Sequence, residues 1–439
     1  MTEKAVLDRG DRANPLPESL KSTLLPAMAV RLVLGARFDV NGDQGVVRFE
    51  GDAMSMHMSD FDLALKTAKR LKPHVEARPI TPGLVIELMG HAQKFMSEEM
   101  FYPGALRVIY FPSIAPGSAF YRCLLPALAL SGGSKVIAHA SRDRMARETL
   151  NYDIVVIQID NSPQTLQFAK VLQSMGKKVV YEIDDAFDAV EPWHGCYELY
   201  GSELGQSRVR DMLGTADCVT VTTHALKNRY ATLARRIEVL PNYIQLVDWP
   251  VAEPHKLPEF RVLWAGSPSH LGDLAIVGEA LSNFAMSHPN VELTFFGREP
   301  EGLKAGDMRV NVVPWCDFKD YPDTLAGLKA DVAIAPLADI PFNHGKSNIK
   351  LLEYGATGYP ILASDVGPYR ETIGRETFDG ILCQTQSDWE EALEAVYQRQ
   401  DLREALRQGA KAMARRYDIE RHRTQIENLY LSIREERHA

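Results

Sequence analysis

The residues best suited to bind an anion lie in the segment Phe342–Pro360, where a polar, glycine-containing loop leads into a predicted helix. The N-terminus of a helix presents unpaired N–H groups and a partial positive charge, which attract a phosphate group. Lys346 and Lys350 add full positive charges, and Glu353 lies further into the helix. The segment predicts a site for a ligand that carries phosphate and hydroxyl groups. The alternative is that Lys346, Lys350 and Glu353 form a solvated helix face with charged pairs at i,i+3 spacing.

Other polar residues stand where predicted strands end, which is where α/β proteins bind ligands. His139 and Asp160 each end a predicted strand, and Asp184 and Asp185 follow another. Two adjacent carboxylates in such a place could hold a metal ion, contact hydroxyl groups of a substrate or shape the loop. For His139, the alternative is a histidine whose hydrogen bonds are satisfied inside the core.

Two glycine-bearing loops follow predicted strands and precede helices. Gly266 lets the backbone approach a phosphate, and the Ser267 hydroxyl can donate a hydrogen bond to it. In the other loop Gly117 permits a similar approach, and Ser118 follows it. Ser118 is also a natural helix N-cap, so ordinary strand-to-helix turns are the alternative for both loops.

The composition is that of a globular protein with an acidic balance. The 439 residues are too many for one ordinary core and predict two or three domains. The net charge of −9, from 49 basic and 58 acidic residues, argues against wholesale binding to nucleic acid. The five cysteines are scattered without a CxxC pair, which predicts a cytoplasmic protein with reduced thiols and no structural zinc.

Several functional classes lack their sequence motifs. No run of about 18 apolar residues occurs, so we expect no membrane span, while peripheral membrane contact stays open. The sequence contains no Ser-His-Asp order, HExxH, P-loop or tight GxGxxG. Protease, zinc hydrolase and dinucleotide dehydrogenase activities are therefore not indicated.

Residues 1–100 predict a small α+β accessory unit at the N-terminus. Asn41-Gly42 is a strong hairpin turn signal, with strands predicted at Ala29–Val40 and Gly45–Glu50 on either side of it. Helices are predicted at Asp60–Leu71 and at Pro82–Glu98.

From about residue 106, short apolar strands alternate with helices, which is typical of parallel sheets covered on both faces. The first series predicts strands at Arg107–Phe111, Lys135–His139, Ile154–Ile159, Lys178–Ile183 and Cys218–Thr222. The second series predicts strands at Arg261–Trp264, Glu292–Phe296, Val310–Pro314, Val332–Ala335, Pro360–Ala363 and Gly380–Cys383.

A proline-rich linker at 250–258 separates the two series. We therefore predict two doubly wound, Rossmann-like domains with a ligand-binding cleft between the carboxyl ends of their strands. The predicted boundaries are 1–100 for the accessory unit, 104–250 and 258–415 for the two α/β domains, and 416–439 for a C-terminal helix that packs back on the first of them.

The order of several segments resembles that of GT-B-fold glycosyltransferases of family 4, the group 1 type. The resemblance covers residues 105–430. It is carried by Val239-Leu240-Pro241-Asn242, Leu263-Trp264-Ala265-Gly266-Ser267, Lys329–Pro336 and the 342–367 segment. It implies transfer of a sugar from a nucleotide-diphosphate donor to an acceptor hydroxyl, with retention of anomeric configuration.

The resemblance assigns donor-binding roles to the predicted helix after Lys346. Glu353 matches the second glutamate of the family's E-x7-E motif, which binds the ribose of the nucleotide. The first glutamate would fall on Gly345 and is missing, which leaves the orientation of the sugar open. Lys346 is implied to contact the diphosphate. The other predicted donor contacts on this helix are Ser347, Asn348 and Ile349.

Further site residues follow from the resemblance. Ser267 and His270 stand at about the places where the family has an arginine and a lysine for the diphosphate. The donor side is therefore expected to include Gly266, Ser267, His270 and Arg298. The acceptor side is expected to include Gly117, Ser118, Arg122 and Asp160. The predicted catalytic residues are His139, Lys346, Asp184 and Asp185.

The implied reaction needs no metal and no cofactor, with a UDP- or GDP-sugar as co-substrate. The acceptor could be a glycan, a lipid-linked sugar, a protein or a modified DNA base, the last being the one nucleic acid partner considered. A non-catalytic nucleotide-sugar-binding or scaffolding protein is an alternative, suggested by the missing glutamate at Gly345. A GT-B epimerase or phosphorylase is another, and the oligomeric state is left open.

Overall fold

The computed structural model contains both series of alternating strands and helices. It describes residues 18–33, 37–41, 44–49, 52–57, 64–65, 67–69, 71–72, 75, 82–99, 105–131, 135–142, 149, 152–253, 258–266, 271–297, 303, 306–374 and 377–436. The statements that follow concern these residues.

Among the described residues, the N-terminal part contains helices and a three-stranded antiparallel sheet. Its elements are α1 (Glu18–Val33), β1 (Arg37–Asn41), β2 (Gln44–Phe49), β3 (Asp52–His57) and α2 (Pro82–Glu99). β2 pairs with both neighbours, and Asn41 of β1 lies opposite Gln44 of β2, which confirms the predicted hairpin. The predicted helix at Asp60–Leu71 lies partly outside the described residues.

The strand prediction at Ala29–Val40 is wrong in its first part, because α1 continues to Val33. Leu25, Met28 and Ala29 are buried at helical spacing and pack with apolar residues of α2. Burial of one apolar helix face therefore outweighs the β-propensity of the valines in this segment.

Two six-stranded parallel sheets follow, as predicted for two doubly wound α/β domains. The first contains β4 (Leu106–Phe111), β5 (Val136–Ala140), β6 (Ile154–Gln158), β7 (Lys178–Ile183), β8 (Cys218–Val221) and β9 (Ile237–Val239). The second contains β10 (Phe260–Ala265), β11 (Val291–Gly297), β12 (Arg309–Pro314), β13 (Val332–Ala335), β14 (Ile361–Ser364) and β15 (Ile381–Cys383). Their strand orders are β5-β4-β6-β7-β8-β9 and β12-β11-β10-β13-β14-β15.

The burial of the strands explains why the sequence pattern identified them. Strands β6, β8, β13 and β14 are buried at every residue, as expected where helices cover both faces of a parallel sheet. Strand β12 lies at an edge of the second sheet and is largely exposed. The apolar runs therefore mark central strands more clearly than edge strands.

Helices accompany both series of strands. They are α3 (Pro116–Ala119), α4 (Leu125–Leu130), α5 (Pro163–Ser174), α6 (Glu203–Thr215), α7 (His224–Tyr230), α8 (Leu271–Ala275), α9 (Gly278–Ser287), α10 (Tyr321–Gly327), α11 (Pro341–His344), α12 (Ile349–Thr357), α13 (Gly367–Thr372), α14 (Gln386–Gln398), α15 (Gln400–Arg416) and α16 (Arg423–Glu435). The helices that precede β15 alternate with the strands as predicted, and α14, α15 and α16 follow β15. A π-helical turn, Phe120–Leu124, joins α3 to α4. Such turns often occur at functional sites.

The chain divides into two compact units. The first comprises residues 1–114, 123–158 and 423–439, and the second comprises 115–122 and 159–422. In the first unit α16 packs on α4 and β5. The Tyr430 hydroxyl forms a 2.7 Å hydrogen bond with the Tyr110 hydroxyl of β4, and the two rings meet edge to face.

The second unit contains the whole sheet around β10, which separates two apolar cores. Leu263 and Ala265 of β10 belong to the core that includes α12, whereas Val262 and Trp264 belong to the core that includes α9 and α14. The Ala265 backbone N–H donates a 2.9 Å hydrogen bond to the Tyr354 hydroxyl of α12. This contact holds α12 against the carboxyl end of β10.

Candidate functional site

Helix α12 carries the residues that the sequence singled out first. It begins after Asn348 and ends at Gly358, which adopts a left-handed conformation with φ of 83°. Leu351, Leu352 and Tyr354 are fully buried, so the core fixes the position and rotation of the helix. Its N-terminal N–H groups and partial positive charge are therefore held in a defined place.

Lys346 precedes α12 and forms an ion pair with Asp185, which follows β7. The Lys346 Nζ lies 3.0 Å from Asp185 Oδ2 and 4.5 Å from the centre of the Phe342 ring. Burial raises the pKa of Asp185 to about 6, although the charge of Lys346 opposes this. Burial alone would lower the pKa of Lys346, but the Asp185 carboxylate raises it above its ordinary value.

Gly345 lies against the loop that carries Asp185. A Cβ atom added to Gly345 would stand 2.7 Å from the Cβ of Ala186 and 2.9 Å from Cδ2 of Leu226. Real Cβ atoms essentially never come so close to other heavy atoms, so a glutamate does not fit here without movement of this loop. The loop after β7 therefore occupies the space that the missing first glutamate would need.

Asp184 is hydrogen-bonded to the first glycine-bearing loop. The Ser118 hydroxyl donates to Asp184 Oδ2, and Gly117 precedes it at the start of α3. A Cβ atom added to Gly117 would meet nothing closer than the Phe318 ring at 3.9 Å. The structure thus brings Gly117, Ser118, Asp184 and Asp185 into one neighbourhood with Lys346.

Glu353 is held by two tyrosines. Its Oε1 accepts a 2.8 Å hydrogen bond from Tyr121, and its Oε2 accepts a 3.0 Å hydrogen bond from Tyr321. Glu353 is only 9% exposed, and burial raises its pKa above the ordinary value, against the hydrogen bond from Tyr121 and the charge of Lys350. A carboxylate in this setting can accept further hydrogen bonds, because each oxygen has a second lone pair.

An aromatic cluster surrounds these tyrosines. The centre of the Phe318 ring lies 4.8 Å from that of Phe120 and 5.7 Å from that of Tyr121. The Phe318 ring also stacks on Tyr321, with 6.2 Å between the ring centres. Trp315, which is half exposed, packs on Tyr321 at 5.3 Å. The Glu353 carboxylate therefore lies beside a wall of aromatic rings.

Lys350 points to the end of β10. Its ammonium group donates a hydrogen bond to the backbone oxygen of Ala265 and lies 5.3 Å from the centre of the Trp264 ring. Burial lowers the pKa of Lys350 to about 8, although the charge of Glu353 opposes this. Lys350 of α12 is thus buried against the end of β10, next to Gly266. The alternative interpretation, in which it lies on a solvated helix face, is therefore wrong for this residue.

Arg122 lies inside the protein. It is 1% exposed and forms a two-point ion pair with Glu182 of β7, with distances of 2.6 Å and 3.0 Å. Thr220 also donates to this carboxylate. The Arg122 Nη1 donates to the backbone oxygen of Leu240 at 2.6 Å and to Oδ1 of Asn242 at 2.9 Å. This burial argues against the direct acceptor contact that we expected for Arg122.

Asn242 extends this network to the donor segment. Its Nδ2 donates a 2.7 Å hydrogen bond to the Ser347 hydroxyl oxygen. Asn348 donates through its own Nδ2 to the Thr372 hydroxyl at 3.1 Å, and Ile349 begins α12. Ser347, Asn348 and Ile349 therefore lie together at the N-terminus of the helix, as their sequence positions require.

His139 and Asp160 have local partners. In the first unit His139 is buried, and its Nδ1 lies 2.9 Å from the Tyr152 hydroxyl, which matches the core histidine of the alternative interpretation. In the second unit Asp160 accepts a 2.8 Å hydrogen bond from the backbone N–H of Ser162, near the start of α5.

The remaining donor-side candidates are mostly outside the described residues. This applies to Ser267, His270 and Arg298, whereas Gly266 is described and buried at the end of β10. In the part of the chain that the structure describes, no group of three or more His, Cys, Asp or Glu side chains could hold a metal ion. No described helix is long and apolar enough to cross a membrane.

Sequence reasoning missed the residues that hold the predicted ones in place. Tyr121, Tyr321, Glu182 and Asn242 contact Glu353, Arg122 or Ser347. One signal was available: Glu182 is a charged residue in an apolar strand and needs a buried cation as partner. The tyrosines carry no such signal, because their contacts span 32 and 232 residues of the chain.

Comparison with known proteins agrees with this architecture. No protein-family model matches the sequence, and no curated protein matches it. Sucrose-phosphate synthase (tll1590) from Thermosynechococcus elongatus is similar in structure with a TM-score of 0.54 and 14% identity, over 75% of this chain and 99% of that chain. Anabaena Alr3699/HepE in complex with UDP has a TM-score of 0.54 and 16% identity, over 75% of this chain and 100% of that chain.

A further structure of HepE, in complex with UDP-glucose, gives a TM-score of 0.53 with 16% identity, over 74% of this chain and 100% of that chain. At such low identity the likeness concerns the arrangement of the chain rather than its chemistry. These matches and the two six-stranded parallel sheets show that this chain has the GT-B fold of the glycosyltransferases that the sequence resembles.

Proposed function

We propose that the protein is a glycosyltransferase that moves a sugar from a nucleotide-diphosphate donor to an acceptor hydroxyl. The observation that carries this proposal is the grouping of Lys346, Ser347 and Glu353 around α12, next to Asp184 and Asp185. A cation, a hydroxyl and a helix N-terminus suit a diphosphate, and carboxylates suit the hydroxyl groups of sugars.

In this proposal the diphosphate binds at the N-terminus of α12. Lys346 exchanges its present partner Asp185 for a phosphate oxygen, and the N–H groups of the first turn donate to the same group. This stabilises the negative charge that develops on the leaving nucleotide, an effect of several kcal/mol where water is excluded. A Cβ atom on Gly266 would lie 2.5 Å from the Trp264 ring, so glycine is required here by local packing, and its backbone is proposed to face the phosphates.

Glu353 is proposed to accept hydrogen bonds from the ribose of the donor. Its oxygens already accept from Tyr121 and Tyr321. A ribose hydroxyl can use the second lone pair of either oxygen or take the place of the Tyr121 hydroxyl. The two tyrosines therefore keep the carboxylate in place while the nucleotide arrives.

The proposed reaction retains the configuration of the sugar and needs no metal. The bond between the anomeric carbon and the phosphate oxygen breaks, and the acceptor oxygen forms its bond to the same face of that carbon. The acceptor proton passes to the departing phosphate oxygen, so no covalent protein nucleophile is required. Asp184, Asp185 and Ser118 are proposed to orient the acceptor, and the protein acts by positioning and charge stabilisation.

A thermal-shift screen with UDP-, GDP-, ADP-, CMP- and dTDP-sugars tests the donor assignment. The complex of the structurally similar HepE with UDP-glucose makes UDP-sugars the first choice. Binding to the folded state raises the melting temperature by mass action, so the true donor stands out.

Glu353→Ala should weaken binding of this donor at least about tenfold, since hydrogen bonds to a charged group are worth about 1.5–3 kcal/mol. Unchanged affinity by calorimetry would refute the ribose contact.

Incubation with a labelled nucleotide-sugar tests whether the protein is a transferase. Transfer of label to a hydroxyl-bearing acceptor supports the proposal, with glycans, lipid-linked sugars, proteins and modified DNA bases as the acceptor panel. Conversion of the nucleotide-sugar without acceptor would instead indicate an epimerase. Tight binding with no turnover of any pair would indicate a non-catalytic nucleotide-sugar-binding protein.

A further inference from the structure

We propose that Asn242 is a positioning residue that turns the Ser347 hydroxyl into a hydrogen-bond donor for the diphosphate, with Arg122 setting the orientation of the Asn242 amide. The inference rests on the proposed donor site and concerns the hydrogen bonds that orient one of its hydroxyl groups. It depends on the direction of two consecutive hydrogen bonds, a buried one from Arg122 to Asn242 and a partly buried one from Asn242 to Ser347.

The first of these bonds has only one possible direction. A guanidinium group donates hydrogen bonds and cannot accept them. The Arg122 Nη1 lies 2.9 Å from the Asn242 side chain, so the carbonyl oxygen of the amide must face Arg122. Arg122 itself cannot turn away, because its ion pair with Glu182 is buried and two-pointed. The ambiguity between oxygen and nitrogen that usually affects asparagine is thereby removed.

The second bond follows from the first. With its oxygen toward Arg122, Asn242 presents its NH₂ group to Ser347, and the two atoms are 2.7 Å apart. The NH₂ group can only donate, so the Ser347 oxygen must accept. The hydroxyl hydrogen of Ser347 is then directed away from Asn242 and is available to another acceptor.

The position of Ser347 identifies that acceptor as an anion. Ser347 lies between Lys346 and the first residues of α12, where the N–H groups of the helix end also seek acceptors. Lys346, the Ser347 hydroxyl and the helix N-terminus therefore each offer hydrogen-bond donors. A diphosphate, which carries several acceptor oxygens and negative charge, can accept from all of them, whereas a single neutral hydroxyl has only two lone pairs and no charge to offer.

We call the hydrogen bonds from Arg122 to Asn242 and from Asn242 to Ser347 the relay. Asn242→Asp reverses the second of these bonds and provides the test. Aspartate accepts from both sides, so the Ser347 hydroxyl would donate to it and no longer to the ligand. We would titrate UDP and GDP, the diphosphates of the two expected donors, into the wild type, Asn242→Asp, Ser347→Ala and the double variant. The added negative charge repels the ligand in both serine and alanine backgrounds, so the cycle cancels this common part.

The expected result is that Asn242→Asp weakens binding about tenfold more in the wild-type background than in the Ser347→Ala background. Ser347→Thr, which keeps a hydroxyl, should retain most of the affinity. An equal loss from Asn242→Asp in both backgrounds would overturn the relay and leave the donor site standing. Failure of the wild type to bind UDP, GDP and the other nucleoside diphosphates of the donor screen, ADP and dTDP, would refute the donor site itself, and the relay with it.

A second variant covers the case in which Asn242→Asp does not fold, which thermal unfolding would reveal. Asn242→Leu removes the restraint without adding a charge, so the Ser347 hydroxyl can rotate freely. A smaller loss, of about threefold, is expected in the wild-type background and none in the Ser347→Ala background. Equal losses in the two backgrounds would again contradict the relay.

Discussion

At the scale of single residues, the pair Lys346–Asp185 joins positions that are 161 residues apart in the sequence. Each residue stood out by its own type and place, the lysine before a helix and the aspartate after a strand. Their pairing means that the cation offered to a phosphate is already neutralised by a carboxylate. In the proposed donor site, a diphosphate therefore competes with Asp185 for Lys346.

This competition predicts that binding of the nucleotide-sugar tightens as the pH falls. Burial raises the pKa of Asp185 to about 6, so the carboxylate is charged at pH 8 and neutral at pH 5. Once neutral, it neither holds Lys346 nor repels the phosphates, whose own charge is constant over this range. We expect affinity to rise about fivefold between pH 8 and pH 5, which corresponds to roughly 1 kcal/mol for a partly exposed ion pair.

Titration calorimetry of the wild type and of Asp185→Asn at several pH values checks this. The variant should bind the donor more tightly at pH 8 and show little change with pH. The pKa of His194 nearby is lowered by burial and by the charge of Lys346, and this residue remains in the variant as an internal control. A pH dependence of equal size in Asp185→Asn would assign the effect to His194 or another group.

For Glu353, residue type and position indicated a candidate site residue but not its hydrogen-bond partners. A carboxylate in the second turn of a helix was a reasonable candidate for hydroxyl groups, and its place in the resemblance pointed the same way. Its two tyrosine partners lie on α10 and on the π-helical turn after α3. No local pattern relates these segments, because they meet only when the sheets and helices pack.

At the scale of elements, the loop after β7 and the segment before α12 fit against each other. Gly345 leaves space for Ala186, and Lys346 reaches the neighbouring Asp185. The sequence exposed Gly345 as a gap in a motif. Only the structure shows that the gap is filled by a backbone segment from another part of the chain.

We predict that Gly345→Ala destabilises the protein and that Ala186→Gly partly restores it. The new Cβ would stand 2.7 Å from the Ala186 Cβ, so the loop or the helix segment has to shift. Overpacking of this kind costs about 1–3 kcal/mol. Chemical denaturation of both single variants and the double variant measures the effect.

The double variant should regain part of the loss, because the methyl group of Ala186 is the nearest obstacle while Leu226 and the Ala186 backbone remain close. Ala186→Gly alone serves as the control for the flexibility that a new glycine introduces. Free energies that simply add in the double variant would show that the two positions do not collide.

The segment between β4 and β5 is a second case at this scale. The alternation of strands and helices predicted helix here, whereas the structure interrupts it with a π-helical turn at Phe120–Leu124. The adjacent residues Tyr121 and Arg122 of this turn reach different partners, Glu353 and Glu182. The alternation predicts a helix between two strands but does not locate a π-helical turn within it.

At the scale of the whole molecule, the chain ends in α16, which belongs to the same unit as β4 and β5. Tyr430 of this helix is fully buried, and its hydroxyl is bonded to the hydroxyl of Tyr110. Helix α16 packs on α4 and β5, and the hydrogen bond between Tyr430 and Tyr110 joins positions that are 320 residues apart in the sequence.

We predict that Tyr430→Phe lowers stability slightly and Tyr430→Ala strongly. Loss of one buried hydrogen bond costs about 1 kcal/mol, whereas removal of a buried aromatic ring costs about 3–5 kcal/mol. Thermal unfolding, with Tyr110→Phe as the matched control, measures both changes. A Tyr430→Ala variant as stable as the wild type would show that α16 does not pack on this core in solution.

The sequence by itself determined the fold class and the candidate donor segment. Alternating apolar strands and helices specify doubly wound parallel sheets, and a basic loop before a helix marks a candidate anion site, because both are local consequences of burial and backbone geometry. Tertiary structure decided the rest. It showed that Asp185 pairs with Lys346, that two tyrosines hold Glu353 and that Asn242 is hydrogen-bonded to Ser347, since these contacts join segments that no short-range pattern connects.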